Sequence, residues 1–235
     1  MFCGVPRGSV LGPLLWNIAY DCVLTRTVLP EGVSLTLGLV LDFGLYFGEH
    51  LAHLGPKIRA YSATLGRLMP NLRGPQARVR RLYATVVHSE ALYEAPIWAE
   101  SVSAAWPLRE KAIQLQRASL NLMAMAYRDV AAEVACLLSG TPPLDLLAME
   151  RFVLYRERDR GGPKTARHRQ LRAQIVNTWQ ARFNDGRRRY GGEIINVLGP
   201  RVGDWVGRGH GNLTYRLTQV LTGHGVFGSY LARKK

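Results

Sequence analysis

Residues 108–127 read LREKAIQLQRASLNLMAMAY, and this stretch sets the helical character of the chain. Apolar or small side chains return along it at every third or fourth position: Leu108, Ala112, Leu115, Ser119, Leu122 and Ala126. That spacing places them on one face of a helix, because three to four residues complete one turn. The stretch therefore predicts an amphipathic helix, and helical patterns continue on both sides of it.

On the C-terminal side, the sequence predicts further helices that are separated by glycine and proline. Asp129 is the predicted N-cap of a short helix that ends at Gly140, and Pro142-Pro143 opens the next helix. Residues 161–163 (Gly-Gly-Pro) predict a linker. A long basic helix is expected after the linker, with apolar side chains at four-residue steps: Leu171, Ile175, Trp179 and Phe183. Residues 193–235 predict short helices that are broken by glycines.

On the N-terminal side, residues 49–69 and 76–91 predict two more helices. The second of them carries an apolar stripe that we expect in the core: Val79, Leu82, Tyr83, Val86 and Val87. Residues 33–41 (VSLTLGLVL) differ, because apolar side chains occupy every second position. This alternation is typical of a half-buried strand and is the one clear strand pattern in the chain.

The composition is that of a globular, strongly basic protein. Of 235 residues, 47% are hydrophobic and 20% are charged, which supports a packed core and excludes wholesale disorder. No apolar run is long enough to span a bilayer, so we expect no membrane partner. Lys and Arg total 31 against 17 Asp and Glu, a net charge of +14 that favours a polyanionic partner such as nucleic acid.

Two segments concentrate the positive charge. Residues 151–208 hold 14 basic and 5 acidic residues, while residues 51–89 hold seven basic residues and no acid. A charge run of this kind is either a solvated face or a phosphate-binding surface. We select the acid-free segment as the candidate nucleic-acid-binding site: Lys57, Arg59, Arg67, Arg73, Arg78, Arg80 and Arg81.

Cysteine and histidine give no sign of a metal or disulfide framework. Three cysteines at wide, irregular spacing (Cys3, Cys22 and Cys136) favour a reducing compartment. His50 and His53 have no nearby carboxylate or thiol set, which makes a poor metal site. We therefore predict no metal ligands and an intracellular location, in the cytoplasm or the nucleus.

Residues 4–13 (GVPRGSVLGP) are a glycine- and proline-rich loop that opens directly into a predicted helix. Backbone amides of such a loop suit a phosphate or a nucleotide sugar, although an ordinary loop–helix junction has the same composition. The loop is not a Walker loop, because the Gly-Lys-Ser/Thr ending is missing, and it is not a nucleophile elbow, because its order is Gly-Ser-x-x-Gly. Its candidate nucleotide- or template-proximal residues are Gly4, Pro6, Arg7, Gly8, Ser9 and Gly12.

Residues 4–17 resemble the G-x-P-Q-G-S-x-L-G-P-x-L-[WF]-N motif of reverse transcriptases in non-LTR (LINE-type) retrotransposons. Residues 37–42 are similar to the L-G-x-x-L-D segment of that family. Four further segments of this chain resemble sequences of elements that insert into arthropod ribosomal genes: residues 65–70, 81–83, 92–98 and 217–228. The resemblance covers nearly the whole chain.

This resemblance implies a fold and a division into three parts. We expect a mostly α chain with a small α+β remnant, in which a partial reverse-transcriptase palm precedes a helical thumb and a helical C-terminal extension. The palm remnant covers residues 1–48, with a glycine loop, a helix and one strand. The thumb-like domain covers residues 49–160, and the basic extension covers residues 161–235.

The expected activity depends on the positions at which this sequence differs from the sequence pattern of the family. In the family, carboxylates of an F-x-x-D strand and an Ala-Asp-Asp hairpin hold magnesium for RNA-directed DNA polymerisation, and neither motif is present. Arg7 also replaces the glutamine of the family. We therefore expect a 5′-truncated, internally deleted and 3′-truncated remnant, with no catalytic residue, no cofactor and residual sequence-independent binding of RNA or an RNA–DNA hybrid. Two alternatives stay open: a host-adopted helical protein-interaction module, and a reading frame that yields no stable protein.

Overall fold

The structure is a computed structural model that describes residues 33–36, 38–70, 76–158, 164–184, 192–208 and 212–225. Two strands come first, β1 at Val33–Thr36 and β2 at Leu39–Asp42. The next helices are α1 Gly48–Leu68, α2 Ala77–Ala91, α3 Ala95–Ala104, α4 Trp106–Ala124 and α5 Ala132–Ser139. The remaining helices are α6 Leu144–Arg156, α7 Lys164–Asn184, α8 Gly192–Leu198, a 3-10 turn at Gly199–Arg201, α9 Val202–Gly207 and α10 Tyr215–Thr222.

The predicted fold class, with its partial reverse-transcriptase palm, was wrong. A palm is built on a sheet, whereas the strands of the described residues form only a two-stranded antiparallel ribbon. The predicted single strand over residues 33–41 is a hairpin, in which Val33 pairs with Asp42 and Thr36 with Leu39. Gly38 adopts a φ of 85°, which turns the chain back inside the alternating pattern. The polypeptide from Gly48 onward is helical wherever it is described as regular structure.

Helix α4 lies at the centre of the described fold and contacts α1, α2, α3, α5 and α6. It begins with Pro107 in its first turn, where the missing N–H of proline costs nothing, and it ends at Met125 with a φ of 56°. Leu108, Ala112 and Ser119 of the predicted stripe are buried. The predicted helix is therefore confirmed, with ends two to three residues from those of the structure.

Helix α2 is rotated relative to its predicted orientation. Val79, Leu82 and Val86, which we expected in the core, are exposed by 40%, 63% and 57%. Val87 of the predicted stripe is buried as expected, but the rest of the buried face consists of Arg80, Ala84, His88 and Ala91. An apolar stripe on α2 therefore faces solvent, while an arginine and a histidine occupy the interior.

Three apolar clusters hold the helices together. The first surrounds Trp98 and joins the ribbon to α1, α2, α3, α4 and α6, while the second surrounds Trp179 of α7. The third joins α10 to the end of α4 and to α5, and the Thr218 hydroxyl of α10 donates to the Ala124 carbonyl oxygen of α4 at 2.7 Å. None of the helices that the structure describes combines the length and apolar character needed to cross a bilayer.

Candidate nucleic-acid interface

A groove of about 1210 Å³ lies between α1 and α4. The two helices run in the same direction, because Gly48 approaches Leu108 near their first turns and Gly66 approaches Leu122 near their last turns. Side chains of both helices line the groove along its whole length, from Leu51 to Arg67 on α1. At 1.5 Å per residue, those 16 helical steps correspond to roughly 24 Å.

Small residues on α1 keep the groove open. Ala52, Gly55, Ala63 and Gly66 all face it, and none has a side chain large enough to fill the space beside α4. Their positions recur with helical spacing along a single face of α1. The floor is consequently apolar and is completed by three leucines: Leu51, Leu115 and Leu122.

Basic side chains surround this apolar floor. Five basic residues and one acid line the groove: Arg59, Arg67, Lys111, Arg117 and Arg128, with Glu110. The Glu110 carboxylate accepts a hydrogen bond from Gln114 Nε2 at 3.1 Å. Among the described residues, no carboxylate pairs with Arg59, Arg67 or Lys111, and all three are exposed. The groove is therefore a positively charged site with charges available for an anion.

Arg117 fixes the turn that follows α4. Its Nε donates to the Val130 carbonyl oxygen at 3.0 Å, and its Nη2 donates to the Arg128 carbonyl oxygen at 2.5 Å. These bonds provide donors for two carbonyl oxygens of the turn and use some of the N–H groups of the guanidinium. Arg117 thus positions the backbone of Arg128, whose exposed side chain lines the end of the groove.

The structure separates the predicted nucleic-acid-binding residues. Arg59 and Arg67 lie in the groove, whereas Lys57 lies outside its lining and approaches Glu90 of α2 at 4.0 Å. Arg78 and Arg81 are exposed on α2. Arg81 is close enough to Arg208 to lower the pKa of that guanidinium, in addition to a larger effect of burial. Arg73 lies outside the described residues.

Arg80 is not an exposed binding residue, and its assignment to a nucleic-acid-binding face is corrected. The side chain is fully buried, and its guanidinium donates to the carbonyl oxygens of Met69, Pro70 and Leu122. Burial lowers the pKa of Arg80 from its ordinary value. The sequence pattern misled us because the neighbouring apolar residues, not Arg80, face solvent.

The glycine loop, with Gly4, Pro6, Arg7, Gly8, Ser9 and Gly12, lies outside the described residues, as does Asp21, the acid nearest to the loop in the sequence. Its proposed nucleotide-proximal role stays a prediction. Asp42, at the end of β2, accepts a hydrogen bond from the Tyr46 amide at 2.6 Å, and its backbone carbonyl accepts from Leu45. The Asp42 carboxylate therefore stabilises the turn between the ribbon and α1.

His50 has a structural position. It is buried against Phe47 and Trp98, and its Nδ1 accepts from the Val40 amide at 3.4 Å. Burial lowers the pKa of His50 to about 4, with smaller contributions from the charges of His53 and Lys57. Within the described ranges, no three His, Cys, Asp or Glu side chains converge as a metal site would require.

The α4 side of the groove was not predicted from the sequence. The basic residues of this side lie in a part of the sequence that also contains acids such as Glu110, so a search for segments without acids does not select them: Lys111, Arg117 and Arg128. The exposed Trp106 lies just before the predicted helix and was not among the predicted binding residues. Folding residues 108–127 onto a helical wheel places Lys111 beside Leu115 and Leu122, and this was the signal available for the site.

Comparisons with known proteins give one informative similarity. The chain is 26% identical, over an alignment of 215 positions that covers 83% of the chain, to a protein named as a 115 kDa protein in type-1 retrotransposable element R1DM of Drosophila melanogaster. The matched region spans 20% of that relative. No protein-family model and no solved structure matches the chain. The similarity supports a retrotransposon origin.

Proposed function

We propose that this chain derives from the reverse-transcriptase region of a retrotransposon protein and binds RNA without regard to sequence through the α1–α4 groove. The observation that carries the proposal is the set of three exposed cations, Arg59, Arg67 and Lys111, around one groove without carboxylate partners among the described residues. Cations of this kind bind phosphate oxygens and release counterions, which makes affinity independent of sequence and dependent on salt.

Fluorescence anisotropy with labelled RNA tests this proposal. The apparent affinity is expected to fall steeply between about 50 and 200 mM salt, by a log–log slope of roughly −0.7 for each phosphate neutralised on a single strand. The triple variant Arg59→Gln/Arg67→Gln/Lys111→Gln should reduce the magnitude of the slope by about two, because it removes three phosphate contacts.

A matched variant separates the groove from the total charge. Arg169, Arg201 and Arg216 are exposed on α7, the 3-10 turn and α10, outside the groove. Replacing these three by glutamine changes the net charge by the same amount and should leave the slope nearly unchanged. Equal losses in the two triple variants would refute the assignment to the groove, and salt-independent binding by the unaltered chain would refute the function.

We also propose that the chain does not polymerise DNA. Two-metal chemistry needs converging carboxylates, and Glu31 is the one acid between Asp21 and Val33, where the resemblance would place the Ala-Asp-Asp hairpin. The Asp42 carboxylate accepts a hydrogen bond from the Tyr46 amide, which holds it in the turn after β2. Primer extension on an RNA template with magnesium should stay at background, and extension that Asp21→Asn abolishes would overturn the proposal.

A second candidate function is protein interaction, which the exposed stripe of Val79, Leu82 and Val86 on α2 favours. A host-adopted interaction module of this kind would use the stripe and have no need of the basic groove. The variant Leu82→Ser/Val86→Ser leaves the groove intact. Under the RNA-binding proposal it should keep the affinity of the unaltered chain for RNA.

A further inference from the structure

An exposed indole stands at the beginning of the groove. Trp106 is the first residue of α4, its exposed fraction is 67%, and it lines the groove ahead of Lys111. The other large apolar side chains of the lining, Leu51, Leu115 and Leu122, are buried or half-buried. An exposed aromatic ring within a basic groove is a surface on which a nucleobase stacks, and such stacking does not depend on base identity.

Two residues that line the groove toward its opposite end carry a buried polar atom. Ser62 of α1 and Asn121 of α4 are exposed by only 3% and 5%. The Ser62 hydroxyl and the Asn121 Oδ1 have no hydrogen-bond partner among the described residues. An unsatisfied buried polar atom is costly, and a ligand group that bonds to it recovers that cost. A base edge offers the donors and acceptors that a hydroxyl and an amide oxygen need.

The basic side chains lie between and around these two features. Arg59 and Arg67 come from one wall, Lys111 comes from the other, and the floor between them is apolar. The lining extends roughly 24 Å along α1, from the 16 helical steps between Leu51 and Arg67. A length of this order suits a few unpaired nucleotides, with phosphates on the rim and bases toward the floor.

We propose that the groove binds single-stranded RNA in preference to a duplex, with one base stacked on Trp106 and another hydrogen-bonded by Ser62 and Asn121. This inference rests on the proposed RNA binding and adds the strand form that is bound. A duplex keeps its bases stacked and its pairing edges occupied, so it reaches the cations but neither the indole nor the buried polar atoms. The groove floor therefore determines the preference for single-stranded RNA, whereas the basic side chains of the rim provide affinity for both strand forms.

The unaltered chain tests the proposal directly. Binding of one labelled 12-nucleotide RNA is compared with binding of the same RNA paired to complementary RNA and to complementary DNA. We expect the single strand to bind at least about 10-fold more tightly, from one stacked base and its hydrogen bonds. Salt-dependent binding of equal affinity for all three probes would overturn this inference and leave the proposed function standing, whereas no binding would overturn both.

Variants at each end of the groove assign the preference to residues. Trp106→Ala should weaken single-strand binding about 5- to 100-fold and leave duplex binding within about twofold, and Trp106→Phe should restore most of the loss. Phe43→Ala, which removes a 96% exposed ring outside the groove, is the matched control and should change neither affinity. Equal effects of Trp106→Ala and Phe43→Ala would overturn the role of the indole.

Ser62→Ala separates ligand binding from folding. The substitution removes a hydroxyl that has no partner in the described structure, so thermal stability should stay the same or rise. Single-strand affinity should nevertheless fall about 3- to 10-fold, while duplex affinity is unchanged. A variant that keeps both affinities would refute the base-edge contact.

Discussion

The Arg80 guanidinium donates a hydrogen bond to the Leu122 carbonyl oxygen at 2.9 Å, across 42 positions of the chain. It also donates to the carbonyl oxygens of Met69 and Pro70, which follow the last turn of α1. Leu122 lies in the last turn of α4. Carbonyls at helix C-termini lack partners within their own helix, and a cation there is favourable. One side chain of α2 therefore caps both helices that form the groove.

Replacing Arg80 should destabilise the fold. The variant Arg80→Met keeps most of the buried volume but leaves three carbonyl oxygens without this donor. We expect the free energy of unfolding to fall by about 2–4 kcal/mol, because several hydrogen bonds of a buried charged group are lost together. Urea denaturation followed by circular dichroism measures the change.

The neighbouring arginines provide the control for Arg80. Arg78→Gln and Arg81→Gln alter exposed side chains of the same helix and should change the free energy of unfolding by less than about 0.5 kcal/mol. If Arg80→Met were no more destabilising than these, the capping role would be refuted.

Asp145 and Arg182 form one of the two ion pairs that join α6 to α7 in the described part of the chain, the other being Glu150 with Arg172. Arg182 donates through Nη1 and Nη2 to the two carboxylate oxygens, and the Asp145 side chain is completely buried. Asp145→Leu and Arg182→Met should each lower the free energy of unfolding by about 3–5 kcal/mol, because each leaves a buried charge unpaired.

The double variant Asp145→Leu/Arg182→Met separates the contribution of the charge–charge interaction from that of side-chain packing. Removing both charges leaves no uncompensated ion, so its loss should be at least about 2 kcal/mol smaller than the sum of the single losses. Urea denaturation of all four proteins completes the cycle. Strictly additive losses would show that the two side chains act independently.

Buried histidines should make the fold sensitive to mild acid. Burial lowers the pKa of both His50 and His88 to about 4, with a smaller effect of Arg151 on His88. Below about pH 6.5 the unfolded chain binds protons that the folded chain does not, so unfolding becomes easier as the pH falls to about 4. Each histidine should lower the free energy of unfolding by up to roughly 3 kcal/mol over that interval and by nothing above pH 7.5.

Denaturation at several pH values, with single substitutions, measures this effect. His50→Gln and His88→Gln remove the titrating rings and should each flatten the profile between pH 6.5 and 4. His168→Gln changes an exposed histidine of α7 and serves as the control. A profile that keeps its slope in both buried variants would contradict the prediction.

Two nearby glycines should respond oppositely to alanine. A Cβ at Gly199 would lie 2.9 Å from Phe183 Cγ and 3.0 Å from its Cβ, so Gly199→Ala should cost about 1–3 kcal/mol of unfolding free energy. A Cβ at Gly203 would meet only Gln180 Oε1 at 3.7 Å. Gly203→Ala in α9 should therefore stabilise the protein by about 0.5–1 kcal/mol. Thermal denaturation of the two variants checks the difference in sign.

Local signals in the sequence predicted individual helices well. Pro107 and the spacing after Leu108 marked α4, and Gly140 ends α5 in the left-handed conformation, with a φ of 65°. The predicted N-cap Asp129 was wrong, because α5 begins after Ala131 and Asp129 instead approaches His224 at 3.5 Å. That contact joins residues far apart in the chain, and no local pattern indicates it.

The two larger errors have one physical cause. Alternation continues through Gly38, so nothing local distinguishes a hairpin from one strand. In α2, hydrophobicity alone could not show that carbonyl oxygens outside the helix bind Arg80 in the interior while Leu82 is exposed. In both regions tertiary contacts decide the outcome. Only the α1 wall of the candidate groove could be predicted, because that wall falls in a segment without acidic residues and the α4 wall does not.

The bond from Thr218 to Ala124 has a consequence for synthesis on the ribosome. The hydroxyl lies 94 positions after the carbonyl that it binds. At about 5–20 residues per second, a ribosome needs roughly 5–20 s to make the intervening polypeptide. During that interval the Ala124 carbonyl at the end of the nascent α4 lacks its hydroxyl partner and can be hydrated instead. This contact at the centre of the fold therefore forms only after the residues of α10 have been synthesised.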